Sequence, residues 1–420
     1  MTGLQDFEGG GFEEFEMELG SFTVKKRVPK FWEISYGGSI LCSPEIAGGV
    51  VYFGSADGYV YAVDAETGKE LWRFRTEGLM FEVVFRDGFV YTSSYDGNVY
   101  AIDTRTGKEA WKFRVGEPAL GCLVSDEVVY ASSRNGNVYA INRKTGEEVW
   151  RFRAGNWVAG ALVLHENLLF IGSFDNNLYA VDRKSGKESW HFRSGGYISF
   201  KPSIQGDVIY FSSDDNNVYA VDINERKELW RVGTGKKGNS SIPLIEGNII
   251  YYAGTREGNV YALDLESGKI IWRFTTGTKI AAMRALVIGD SLYFSCFDGK
   301  LYVLDKKTGN EIRTFRTSGP MAGSYPRLYG GRIYFGSWDC NLYCITPEGK
   351  EVWRFQTSTT QQSTIPPDEW VASYSQEAGE EDEKEEEKYV NVSEQGIDDS
   401  EYSVKSEYQV KTEYQQKMKY

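Results

Sequence analysis

Tryptophan recurs through this chain at a nearly fixed interval. Trp32, Trp72, Trp111, Trp150, Trp190, Trp230, Trp272 and Trp353 lie 39–42 residues apart, with Arg313 filling the one gap. Each of the eight intervals after Trp32 carries the same punctuation. A β-rich run ending in Tyr or Phe comes first, from Val51-Tyr52-Phe53 through Ile333-Tyr334. A turn such as Asp57-Gly58, Asp96-Gly97, Asn135-Gly136 or Asp298-Gly299 follows. A Val/Leu-Tyr strand, a second turn and the Trp strand complete the unit. Asp-Gly and Asn-Gly between alternating runs predict tight type I′ hairpins, whose central positions both need positive φ. Asn176-Asn177 and Asn216-Asn217 replace glycine in two units, and Asn tolerates that region.

Four short strands about every 40 residues predict one propeller blade per unit. One four-stranded sheet cannot cover both its faces, whereas a ring of eight buries each against its neighbours. The expected fold is all-β, an eight-bladed propeller of four-stranded antiparallel blades over 31–358. Around it lie an acidic, Phe-rich extension (1–30), a linker and acidic spacer (359–388) and an amphipathic, β-prone tail (389–420). Eight full units end at Trp353, so the segment around Phe31-Trp32-Glu33 is an extra outer strand. It either pairs beside 351–357 or one of the two lies free.

The net charge of -13 needs dividing. Residues 1–24 hold six acids and no bases, and residues 375–420 hold 14 acids against six Lys. The remainder sums to +1, so the body is neutral and the acidity sits in the two ends. Phosphate contacts need a basic surface, which argues against nucleic acid as a partner. No apolar run approaches the ~18–20 residues of a spanning helix. The acidic start is the reverse of a signal peptide, so the expected location is cytoplasmic. Five Cys lack ligand-like spacing and His165 and His191 are the only histidines, so reduced thiols are expected, with neither a metal site nor a Ser–His dyad.

The run Ala62-Val63-Asp64-Ala65-Glu66-Thr67-Gly68-Lys69-Glu70-Leu71-Trp72 resembles the tryptophan-docking motif of PQQ-type (quinoprotein-like) β-propellers. It recurs around Ala101–Trp111, Ala140–Trp150, Ala180–Trp190 and Ala262–Trp272. Glu225-Arg226 replace Thr-Gly in unit five, Arg313 replaces Trp in unit seven, and unit eight is one residue short at Thr346-Pro347-Glu348-Gly349. Asp and Thr suit side-chain bonds within the turn, and Gly suits positive φ. The indoles of Trp72, Trp111, Trp150, Trp190, Trp230, Trp272 and Trp353 are large enough to wedge between blades.

Dehydrogenases of that family hold a quinone with calcium, a catalytic Asp and often an adjacent Cys-Cys disulfide. No adjacent Cys pair occurs here, and no unit carries the long insertions that build such a pocket. Pyrroloquinoline quinone with calcium is therefore not expected. The resemblance implies instead a binding platform, as in the outer-membrane assembly lipoprotein. The expected function is a non-catalytic interaction or assembly scaffold, working through protein partners or self-assembly. A quinoprotein-type oxidoreductase and a small-ligand sensor using the channel mouth are the alternatives.

Alignment from the second-strand aromatic gives the residues lining the central channel. One level reads Ser43, Glu82, Gly121, Ala161, Lys201, Ile242, Arg284 and Tyr325. Glu82, Lys201 and Arg284 break a row otherwise free of charge, and such charges cost energy unless paired or wetted. They are candidates for binding a small anion or a partner's carboxylate. Loops opening on the same face carry Met80, Trp157, Tyr197, Lys236, Lys237 and Lys279, aromatic and cationic chemistry typical of interaction loops.

On the outermost strands, basic residues such as Arg73, Arg151 and Arg231 alternate with Phe, and charge there blocks edge-to-edge aggregation. From Ser400, a threefold hexad places Tyr402, Val404, Tyr408, Val410 and Tyr414 on one face at period two. That is a strand pattern. Tyr402, Tyr408 and Tyr414 are the expected anchors for adding this segment to an exposed sheet edge. Phe15-Glu16-Met17-Glu18-Leu19 alternates likewise.

Overall fold

The computed structural model describes residues 38–357, apart from 236–240, 254–256 and 281–283, together with the short strands Glu18–Leu19 and Phe22–Thr23, which pair with each other. The chain divides into two compact units, Met1–Pro367 and Asp368–Tyr420. Every described residue belongs to the first. Trp32, Lys236, Lys237 and the tail anchors Tyr402, Tyr408 and Tyr414 lie outside the described residues.

Eight four-stranded antiparallel sheets follow one another in chain order and make an eight-bladed propeller. The first contains Glu45–Ala47, Val50–Gly54, Tyr59–Asp64 and Glu70–Arg75. The last contains Arg327–Tyr329, Arg332–Gly336, Asn341–Ile345 and Glu351–Gln356. We number the blades 1 to 8; they cover 45–75, 80–114, 119–153, 162–193, 203–233, 244–275, 286–316 and 327–356. Each blade is contiguous in sequence, so among the described residues no strand is lent across the closure. Blades 8 and 1 join instead through hydrogen bonds: Trp353 Nε1 and Tyr334 OH donate to the Ala65 carbonyl at 3.2 and 3.0 Å, and Ile40 N to Ser337 O at 3.1 Å.

The core is distributed between blades. Tyr52, Val60 and Ala62 of blade 1, for example, pack with Val83, Val90, Tyr100 and Ile102 of blade 2. Alternate strand residues face opposite neighbours, which is why the second and third strands read as unbroken apolar runs.

The turns between second and third strands differ from the expected type I′. Four residues connect the strands: Ser55 N donates to Tyr59 O and Gly58 N to Ser55 O. Only the last residue is left-handed, Gly58 at φ 83°, with Asn176 at 73°, Asn216 at 71° and Cys340 at 67° in equivalent places. The aspartate explains the difference. Asp57 accepts Tyr59 N at 3.1 Å and the Tyr61 hydroxyl at 2.7 Å, bonds that form with its own φ negative.

Every outer strand carries a bulge. Ala62 pairs with Trp72 but Val63 with Glu70, leaving Leu71 as the extra residue, and the same shift recurs in all eight blades. A bulge re-aims the following side chain and spoils the edge for pairing. Here the following residue is the Trp, or Arg313 in blade 7. Its indole N–H bonds a carbonyl of the next blade in six cases, from Trp72 to Thr104 O at 2.7 Å to Trp353 on Ala65 O. The indole also covers the next blade's turn glycine, where a Cβ on Gly107 would come within 2.9 Å of Trp72 and one on Gly186 within 2.6 Å of Trp150.

Unit five tests this arrangement naturally. Arg226 stands at the glycine position with φ 59°, and Trp190, which faces it, makes no indole hydrogen bond among the described residues. A Cβ holds the ring away from the carbonyl it would otherwise reach. Arg226→Gly should therefore relieve left-handed strain and restore the bond, stabilising by about 1 kcal/mol. Urea unfolding of the two proteins measures it; an unchanged or lowered midpoint would contradict this account.

In the turns before the Trp strands, Asp64 Oδ1 accepts both the Thr67 amide and hydroxyl, at 2.8 and 2.6 Å. These bonds hold the carboxyls of Asp64, Asp103, Asp182, Asp264 and Asp305 below their ordinary value of 3.8. A lowered folded-state pKa means the unfolded chain takes the proton first. The stabilisation is whole above pH 3.8 and is lost as pH falls through the lower folded values. Denaturation midpoints should be insensitive to these groups near pH 6 and drop below pH 4. Replacing Asp64 and Asp103 by Asn should flatten that drop.

Candidate functional site

The aspartates of the turns between second and third strands organise one face. Besides its tyrosine, Asp175 accepts the Gly155 amide at 2.7 Å, Asp215 the Gly195 amide at 2.9 Å and Asp96 the Glu77 amide at 3.0 Å. Each carboxylate thus ties the loop entering a blade to that blade's own turn. Main-chain bonds complete the tie: Tyr95 N to Leu79 O, Arg134 N to Pro118 O, Phe174 N to Trp157 O and Asp214 N to Tyr197 O. The side chains of these loops and turns therefore stand on a braced rim.

The expected loop residues Trp157 and Tyr197 sit in this rim, half-buried. Tyr197 stacks on Phe174 with centroids 4.6 Å apart and planes 3° from parallel. Phe174 meets Trp157 at 5.8 Å, and the Arg134 guanidinium lies 4.2 Å from the Trp157 ring centroid. Arg134 in turn reaches the Tyr95 hydroxyl at 3.4 Å. One continuous arc runs from blade 2 to blade 5. Across the ring, Phe297 meets the buried Trp338 edge-on at 5.5 Å. Tyr95, Arg134, Phe174, Phe297 and Trp338 were not singled out in the sequence, although a signal existed. They occupy the position just before the turn Asp or Asn, which varies in size while its neighbours repeat.

The channel level is less regular than the alignment implies. Glu82 lies within a first strand, Met80–Arg86, but Lys201, Arg284 and Tyr325 precede theirs, Ser203–Gln205, Leu286–Ile288 and Arg327–Tyr329. Glu82 Oε2 accepts the Cys122 amide of blade 3 at 3.0 Å. Tyr325 donates its amide to Ser43 at 2.9 Å and carries the Arg327 guanidinium 4.9 Å above its ring. Arg284 is exposed and makes no ion pair among the described residues. Lys279 is half-buried beside the rim. An ion pair missed in the sequence, Arg327 with Glu45 at 3.3 Å, bridges blades 8 and 1. Burial raises the Glu45 carboxyl; Arg327 opposes that rise.

Nucleophilic chemistry finds little support. All five cysteines are separate, buried thiols, and burial pushes Cys42 and Cys296 up to about 12. Such thiols stay protonated and inert. Among the described residues no three His, Cys, Asp or Glu converge as metal ligands. The basic row on the outer strands is largely spent on neighbours: Arg151 pairs Glu148 and Arg354 pairs Glu351, both at 2.8 Å.

Repeated blades, braced turns and a loop rim define a PQQ-like repeat propeller. The family described as outer membrane protein assembly factor BamB matches residues 29–80, 56–160, 134–256 and 256–376, and the chain belongs to that family. The crystal structure of BamB from Moraxella catarrhalis is similar at TM-score 0.65 and 18% identity, covering 73% of this chain and 96% of that one. The computationally designed Ika8 protein is similar at TM-score 0.66 and 16% identity, covering 74% and 98%. At these identities the likeness shows the fold alone. No curated relative matches the chain. Among the described residues no helix is long and apolar enough to cross a membrane.

Proposed function

We propose that this protein is a non-catalytic scaffold that binds a protein partner on its loop rim. The observation that carries the reading is the arc Arg134–Trp157–Phe174–Tyr197. Large aromatic and Arg side chains held rigidly on a braced surface cost little entropy to engage, and these residue types dominate interface energetics. Family membership supports the reading, since the namesake is described as an assembly factor. The strand-patterned segment 400–420 serves as a second element that adds to an exposed sheet edge of a partner or a second copy. We assign the complex to the cytoplasm on its five separate thiols, which suit a reducing compartment; fractionation of the tagged full chain tests that assignment.

A photo-crosslinking residue at Phe174 in the full chain, used in its native cell, tests the rim. The crosslinked partner should disappear when Trp157 and Tyr197 are changed to Ala and persist when Arg151, on an outer strand, is changed instead. Deleting 400–420 should break an assembly without moving the melting temperature. Capture that survives the double rim change would overturn the rim reading. The oxidoreductase alternative makes a different forecast, an absorbance change on adding pyrroloquinoline quinone with calcium and an alcohol.

A further inference from the structure

The seam between blades 4 and 5 departs from the other seams. Arg226, at φ 59°, stands where the equivalent turns place Gly107, Gly146 or Gly186. Phe170 stands where every other blade pairs a Tyr with its third strand, so this seam lacks a hydroxyl. Elsewhere such hydroxyls donate to a carbonyl of the next blade: Tyr130 to Arg183 O at 3.5 Å, Tyr251 to Lys306 O at 3.2 Å and Tyr334 to Ala65 O at 3.0 Å. Trp190 is 8% exposed, yet its indole N–H has no partner among the described residues. The carbonyl that both groups would reach, Ile223 O, accepts no bond from a described residue either.

A pocket of about 150 Å³ opens at this place, bordered by Trp190, Ile223 and Arg226 and by His165, Glu166 and Asp207. The indole nitrogen is not sealed in protein, so its N–H opens on that pocket. His165 Nε2 lies 3.8 Å from Asp207 Oδ1, and the first hairpins of blades 4 and 5 close one wall there. A four-stranded meander turns at alternate ends, so the pocket lies at the end of the blades opposite the rim. An apolar cavity of about this volume accepts benzene, but this one is polar. An unpaired donor, an unpaired acceptor and a left-handed Arg each cost stability, and such costs persist where a site uses them.

We propose that this pocket binds a small neutral polyol, with one hydroxyl inserted between the Trp190 N–H and Ile223 O. A hydroxyl accepts from the indole and donates to the carbonyl through a single oxygen, joining the two groups that bond directly at six other seams. Charge in the lining is near balance, Glu166 and Asp207 against Arg226, with His165 beside them. A simple anion meets two carboxylates and a simple cation meets the guanidinium, so the lining rejects either ion. Further hydroxyls suit what remains, since the carboxylates accept and the guanidinium donates. The site lies away from the aromatic arc and stands whether or not that arc binds a partner.

Nuclear magnetic resonance of the full chain with isotopically labelled tryptophan reads the site directly, the Trp190 indole N–H being identified by its loss in Trp190→Phe. Erythritol should shift that resonance saturably, with half-saturation at least about tenfold below that of acetamide, acetate or methylammonium. Arg226→Gly lets the indole reach Ile223 O, and Phe170→Tyr brings a hydroxyl to the same carbonyl. Each should weaken erythritol binding at least about tenfold. Arg226→Gly should melt at or above the parent temperature by circular dichroism, so its loss of binding is not a loss of folding. Trp157→Ala should bind erythritol as the parent does. A shift that never saturates, as when water alone fills the pocket, overturns the proposal. So does equal binding of acetamide or either ion, or unchanged binding in Arg226→Gly.

Discussion

Trp150→Ala should destabilise the propeller by about 3 kcal/mol, the low end for deleting a large buried aromatic because one edge of this indole meets solvent. The ring packs in the cluster joining blades 3 and 4, lies 5.8 Å from Tyr130 and donates to Arg183 O at 3.1 Å. Truncation removes that contact area, leaves the Arg183 carbonyl only the longer bond from the Tyr130 hydroxyl at 3.5 Å, and uncovers Gly186. The chain carries its own control. Arg313 occupies the equivalent place in blade 7, and a Cβ on the facing Gly349 would meet nothing within 4 Å. Arg313→Ala should cost under about 1 kcal/mol, as expected where no covered surface is lost. Urea unfolding of both variants gives the comparison. Equal losses would mean that the indole seals no seam.

Much of this was legible because a repeat multiplies its own signal. Eight copies of the apolar second and third strands, each carrying a Tyr or Phe, left little freedom in blade count or strand order. The turn between them was misjudged for a local reason. Asp-Gly read as two left-handed residues, whereas Asp57 spends its carboxylate on Tyr59 N and Tyr61 OH and leaves only Gly58 left-handed. Two-residue pattern rules do not contain that side-chain competition.

The rim was half-seen for a different reason. Trp157 and Tyr197 stand out in any loop, but Arg134 and Phe174 acquire meaning only when main-chain ties bring two loops of one blade together. Channel charges were found by alignment. The Glu45–Arg327 pair was not, because both residues lie two positions past the aligned row and meet only across the closure of the ring.

Gly186→Ala should rival Trp150→Ala in cost, for two separable reasons. Gly186 has φ +71°, and a left-handed conformation costs a residue with a Cβ roughly 1 kcal/mol or more. The new Cβ would also stand 2.6 Å from the Trp150 ring and 2.7 Å from its next atom, closer than any real contact, so the indole must move. Displacement sacrifices packing and the Arg183 bond, for a total of about 3 kcal/mol. The second part needs the indole. In a Trp150→Ala background the same glycine change should cost only the backbone share, about 1 kcal/mol, giving a coupling near 2 kcal/mol, well beyond the additivity of distant sites. Arg226 already shows the trade in the native chain: a side chain is tolerated at this turn, and the facing Trp190 gives up its hydrogen bond. If the two changes instead add, the glycine is kept for its backbone alone, and the indole owes it nothing.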